Sequence, residues 1–168
     1  MKKSLIFLSV VFLAQTTLAN AATDWTPYLK PMMSGCEHPN PTDKLPARYK
    51  ASIASKKVRI NPDDYDISDY EGDKFTTYNL KNATAFGQPL LKVEYMQGYE
   101  WSHLKLYFKD TKFIALRPQF KLPIFYKSQY GVLPDIINNN NGYQTYQDFY
   151  ANLTFDKKDK SITCFSGL

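Results

Sequence analysis

The 168-residue chain predicts an α+β fold, a single domain of mostly antiparallel β-sheet with an N-terminal helix packed on it. Three observations predict it. Over residues 24–37 the side chains of Trp25, Leu29, Met32, Met33 and Cys36 fall near one face of a helix. Around Gly98, the period-2 run Leu91, Val93, Tyr95 is answered by Leu104, Leu106, Phe108, the pattern of a hairpin. Phe149, Ala151, Leu153 and Phe155 then alternate, Asp156 to Lys160 turns, and Ile162 and Cys164 continue.

In chain order, residues 1–21 read as a cleaved signal peptide. Lys2 and Lys3 open it, Leu5 to Leu13 form an apolar run, and Ala19-Asn20-Ala21 gives a small-x-small cleavage pattern. The run is too short to span a bilayer, which takes about twenty apolar residues. The mature chain is then 22–168, one exported domain, not membrane-spanning after cleavage, and periplasmic or secreted in a bacterial setting.

In the helix, Asp24 is the expected N-cap, Pro27 suits the first turn, and Pro31 predicts a break or kink. The prolines of 38–47 make a loop. Tyr49 to Ile60 starts a strand, with Val58 and Ile60 alternating against Lys57 and Arg59. Asn61 to Asp73 (NPDDYDISDYEGD) is an acidic stretch bracketed by turn residues, and Phe75 to Leu80 alternates as a strand. Ala85 to Leu90 is a structural joint, with Gly87 for the turn and Pro89 at the entry to the next strand. Asp110 to Lys112 turns the chain into the apolar run Phe113 to Leu116. Pro118, Pro123 and Pro134 favour edge or irregular structure over 117–134, and the NNNNG of 138–142 is a turn.

Composition narrows the function. Without Lys2 and Lys3, 19 basic residues face 16 acidic ones, a net charge of +3, and only Arg48, Arg59 and Arg117 of the cations are arginines. Nucleic-acid readers concentrate arginine in a basic stripe, so no nucleic-acid partner is expected. The only cysteines, Cys36 and Cys164, are expected to form a disulfide in an oxidising compartment. Such a bridge closes nearly the whole mature chain and is worth up to ~5 kcal/mol. The chain has no CxxC, so no redox role is indicated.

The residues that might carry chemistry form no catalytic set. Cys36 and His38 do not complete a zinc site, which needs three or four ligands. Ser102 and His103 are adjacent on a strand and point to opposite faces, so His103 reads as a solvent-facing or hydrogen-bonded structural residue. The carboxylates of 61–73 do not have EF-hand spacing, so that stretch reads as a solvated loop, with calcium or a cationic partner as its other uses. No enzyme activity and no cofactor or metal is predicted.

What the sequence expects instead is a binding protein with a protein partner in the envelope or outside the cell, an inhibitor or immunity protein against an envelope-acting enzyme or toxin. The alternative is a module for glycans, peptidoglycan fragments or small ligands. Tyrosine and tryptophan supply anchor area and carboxylates steer encounter. The expected contact residues are therefore Tyr65, Tyr70 and Glu71 in the acidic stretch, and Tyr99, Glu100 and Trp101 at the hairpin turn. Tyr and Phe number 13 and 11, enough to supply such anchors, although cross-strand pairing in the sheet also uses them.

Overall fold

The computed structural model describes residues 21–62, 71–124, 135–146 and 150–167. Residues 1–20 and 63–70 lie outside these, and with them nearly all of the signal segment as well as Tyr65 and Tyr70.

Among the described residues nine strands form one sheet: β1 (Thr23–Asp24), β2 (Ile53–Asn61), β3 (Asp73–Ala85), β4 (Gln88–Gln97), β5 (Trp101–Phe108), β6 (Ile136–Asn139), β7 (Gly142–Thr145), β8 (Tyr150–Asp156) and β9 (Ser161–Gly167). Their order is β1-β3-β4-β5-β9-β8-β7-β6, and β2 lies beside β1 on the same side of β3. Among these strands every pairing is antiparallel except β1 with β3, and a separate parallel bridge joins Ser34 to Lys121.

Period-2 alternation gives the sheet two unlike faces. Tyr78, Val93, Leu106, Ile162 and Phe155 stand in one cross-strand row on the core face. Thr76, Tyr95, Leu104, Cys164, Leu153 and Tyr143 form the next row, and all of these side chains are buried. The core also takes in Trp25, Leu29, Met32, Tyr49, Phe113 and Phe120 from the connecting segments. Those segments are helical: α1 (Thr26–Leu29), a 3-10 turn (Lys30–Met33), α2 (Ala47–Lys50) and a longer 3-10 segment (Lys112–Gln119).

The helix expected over 24–37, with its break at Pro31, is reduced to two single turns within Thr26–Met33. Pro31 has no N–H to continue an α-helical ladder, and the chain tightens into 3-10 geometry around it. Asp24 belongs to β1, where its carboxylate accepts hydrogen bonds from the Thr26 backbone N–H at 2.9 Å and hydroxyl at 2.6 Å. The apolar face itself is as expected, since Trp25, Leu29, Met32 and Cys36 are all fully buried.

Three other segments differ from the sequence reading. Tyr49 belongs to α2 and its ring is buried against Trp25 and Tyr28, so the strand begins only at Ile53. Phe113 to Leu116 lies in 3-10 geometry, whose three-residue period turns Phe113 and Leu116 inward together. Leu91 is exposed because the register shifts between Leu90 and Lys92, which puts Leu90 in the core in its place.

Both the Gly98 hairpin and the turn after Asp156 are present. The joint at Ala85 to Leu90 is a tight β3–β4 hairpin, with Phe86 and Gly87 at φ of 52° and 74°. Phe86 is held in this uncommon conformation by its N–H donating to Thr26 Oγ1 at 2.6 Å and by its ring meeting Phe120 edge-on. Cys36 and Cys164 form a disulfide, with Cα atoms 5.2 Å apart, that ties the N-terminal segment to β9. Among the described residues no helix is long and apolar enough to cross a membrane.

Candidate functional site

The second face of the sheet concentrates polar and aromatic side chains. Across it, Arg59, Phe75, Met96, His103 and Phe165 stand in one register row on β2, β3, β4, β5 and β9. The adjacent row is Lys57, Thr77, Glu94, Lys105 and Thr163, and beyond it Lys92 is opposite Tyr107. Apart from the buried Met96 and the exposed Lys57 and Arg59, these side chains are half-buried. Met96, flanked in register by Phe75 and His103, is only 4% exposed.

Cations stack on the rings of this face. The Arg59 guanidinium lies 4.2 Å from the Phe75 ring centre, and Lys92 Nζ lies 3.5 Å from that of Tyr107. Phe75 meets His103 edge-on with ring centres 5.8 Å apart. Such contacts fix the rings and leave cation N–H groups for outside acceptors.

Glu94 is the hub of the polar atoms. Its carboxylate accepts a hydrogen bond from Thr77 Oγ1 at 3.2 Å and a longer one from Tyr107 at 3.4 Å. His103 Nε2 lies 3.7 Å from Glu94 Oε1, within ion-pair reach. The His103 ring, with Lys92 and Thr77 after it, holds the Glu94 carboxyl below the ordinary range against the opposing effect of burial. Lys105 donates to Asp159 at 2.9 Å, an ion pair at the far end of the same face.

The predicted contact residues can be placed on this frame. Tyr99 and Glu100 are exposed in the β4–β5 turn, Tyr99 by 54%. Trp101 is half-buried and shares the β5 face of His103, Lys105 and Tyr107. Its indole lies over Gly98, where an added Cβ would come within 2.2 Å of Nε1, so this turn tolerates only glycine beneath the ring. Glu71 is exposed just before β3, and the register Lys74–Gln97 carries it to the same end of the sheet as Trp101. Glu71 thus lies at the same end of the sheet as Tyr99, Glu100 and Trp101, and Cys36 and Cys164 pair as expected.

Sequence reading missed Phe75, Glu94, Lys105, Tyr107 and Phe165 as one surface. The available signal was the second half of each strand's alternation: Trp101, His103, Lys105 and Tyr107 are as regular as Leu104, Leu106 and Phe108. His103 faces away from Leu104 and Leu106, half-buried, and its Nε2 has no hydrogen-bond partner among the described residues, Glu94 Oε1 being 3.7 Å away.

A second histidine lies on the core side. His38 Nε2 is 3.3 Å from Ser166 Oγ, while Nδ1 is buried with no hydrogen-bond partner among the described residues. Burial lowers the His38 pKa to about 4. A base that weak is poorly matched to taking a serine proton near neutral pH. Cys36, two residues away, is committed to the disulfide, so its thiolate is not free to ligate a metal. Among the described residues no group of three or more His, Cys, Asp or Glu side chains is placed to hold a metal ion.

On the other arm of the sheet, Asn139, Asn141, Gln144, Asn152 and Thr154 line a shallow cavity of about 210 Å³. In comparisons with known proteins, no family model, no curated protein and no solved structure matches the chain.

Proposed function

We propose that the chain is an exported binding protein whose polar, aromatic sheet face docks a protein partner, as an inhibitor or immunity protein does with an envelope-acting enzyme or toxin. The observation that carries this reading is the continuous surface of Trp101, Phe75, His103, Phe165 and Tyr107, interleaved with Arg59, Lys92, Lys105 and Glu94. Protein interfaces are enriched in such aromatic and arginine anchors, and strands hold them at fixed spacing before the partner arrives. Exposed Tyr99 and Glu100 extend the surface at one end. The role is a non-enzymatic one, in the periplasm or outside the cell, and the buried disulfide suits an oxidising compartment.

The test is capture of partners from envelope and secreted extracts by the oxidised mature chain, read by mass spectrometry, in parallel with Trp101→Ala. A stoichiometric partner that the variant binds at least tenfold more weakly, with its thermal transition still cooperative, supports this reading. Equal affinity of the variant would remove the face from the interface.

A glycan or peptidoglycan fragment is the second reading, favoured by the amide-lined cavity at β6–β8, since Asn and Gln side chains pair readily with sugar hydroxyls. A saturable change in tryptophan fluorescence with cell-wall fragments, in the absence of any protein partner, would move the weight there.

A further inference from the structure

Along β2 the sheet presents an edge of unusual length and charge. Among the described residues β2 pairs with β3 alone, and eight of its nine residues are exposed. Its one irregularity lies between Ile53 and Ser55, so Ser55 to Asn61 runs as a regular strand without proline. Val58 and Ile60 are 52% and 45% exposed on one face, and Lys57 and Arg59 alternate with them on the other. Proteins usually guard an edge by making it short, bulged or interrupted by proline. From Ser55 to Asn61 β2 has none of these, and only its cations guard it.

We propose that β2 accepts an extended acidic segment of a partner protein as an added antiparallel or parallel strand. The inference rests on the protein-binding reading above and names how the partner engages. An unpaired strand edge supplies backbone hydrogen bonds, and alternate side chains supply selectivity. Lys56, Lys57 and Arg59 give the edge three positive charges and β2 contains no acidic residue. A second β2 is disfavoured as occupant, because antiparallel pairing about Val58 sets Lys57 against Arg59 and like charges directly opposite destabilise a sheet. A strand alternating acidic and apolar residues meets both sets of side chains. Arg59 is already fixed over Phe75, so the added strand continues the Arg59–Phe75–Met96–His103 row of the docking face.

The probe is a synthetic eight-residue peptide of alternating Glu and Val, with a Lys/Val peptide as control, titrated onto the oxidised mature chain. Expected results are saturable binding of the Glu/Val peptide alone, slowed amide hydrogen exchange across 55–61, and loss of affinity at higher salt. The double variant Lys57→Glu/Arg59→Glu, at exposed positions, should bind this peptide at least tenfold more weakly and gain affinity for the Lys/Val peptide. Trp101→Ala should leave peptide binding unchanged, which separates the edge from the docking face: captured-partner binding reads the face, and the peptide reads β2. Equal binding of the two peptides, no binding at millimolar concentration, or unchanged exchange over 55–61 would overturn the proposal. So would self-association of the parent chain that the double variant abolishes, which would assign the edge to a second copy.

Discussion

His38 and Glu94 show how single side chains make this protein's stability depend on pH. The His38 ring is buried neutral with a pKa of about 4, whereas in the unfolded chain it titrates near 6.5. Between those values the unfolded chain takes up a proton that the folded chain refuses, so stability is highest above pH 6.5 and falls toward pH 4. The full swing is about 3 kcal/mol at most. Replacing His38 with Gln should flatten the urea midpoint over that window, and an unchanged slope would mean that another group carries it. Glu94 acts in the same direction at lower pH: its depressed pKa adds stability above the unfolded value, and that stability is lost as pH falls through the folded one. The sequence showed His38 only as a neighbour of Cys36 in a proline-rich loop. Its neighbours in the fold, Tyr95 and Ser166, are distant in sequence, Ser166 by 128 residues, and no local pattern reports such a distance.

At the scale of elements, Arg117 clamps the β6–β7 hairpin to the 3-10 segment. Its guanidinium donates to the carbonyls of Phe120, Asn139 and Gly142 and to the Asn138 side chain. Gly142 at φ 145° completes the turn, since a Cβ there would collide with the Leu153 carbonyl. Arg117→Lys keeps the charge but not the fork, so it should lower thermal stability by ~1–2 kcal/mol and speed amide exchange in 136–145. Exchange unchanged outside and inside the hairpin would refute the clamp. Elements were legible in the sequence where one rule governs. Alternation found β4, β5, β8 and β9, and the Asn-rich tip and Asp156 turn were plain. Where two signals competed, the reading slipped. The helical face of 24–37 was right but Pro31 cut its length, and a bulge put Leu90 rather than Leu91 inside. The polar half of β3, β4, β5 and β9 is a surface only when the strands are side by side, so its members could not be grouped before the strand order was known.

For the molecule as a whole, the disulfide and the strand order act on the same joint. Cys36–Cys164 links the N-terminal cover of the core to β9 across a separation of 128 residues. Its removal in Cys36→Ser/Cys164→Ser should cost about 2–5 kcal/mol, read as a drop in the thermal midpoint matched by reducing the parent chain. An identical midpoint for oxidised and reduced protein would rule the bridge out as a stabiliser. The pairing followed from a count of two cysteines, and its place, N-terminal segment to C-terminal strand, from the alternation that puts Cys164 in the last strand. Among the described residues the two arms, β1 to β5 and β6 to β8, touch in the sheet only through β9, which follows all of them along the chain. During synthesis the first arm can gather locally while the sheet stays in two pieces until residue 161 and those after it emerge. The fold therefore has a built-in delay: the sheet closes into one piece only when its keystone strand, the last in the chain, arrives.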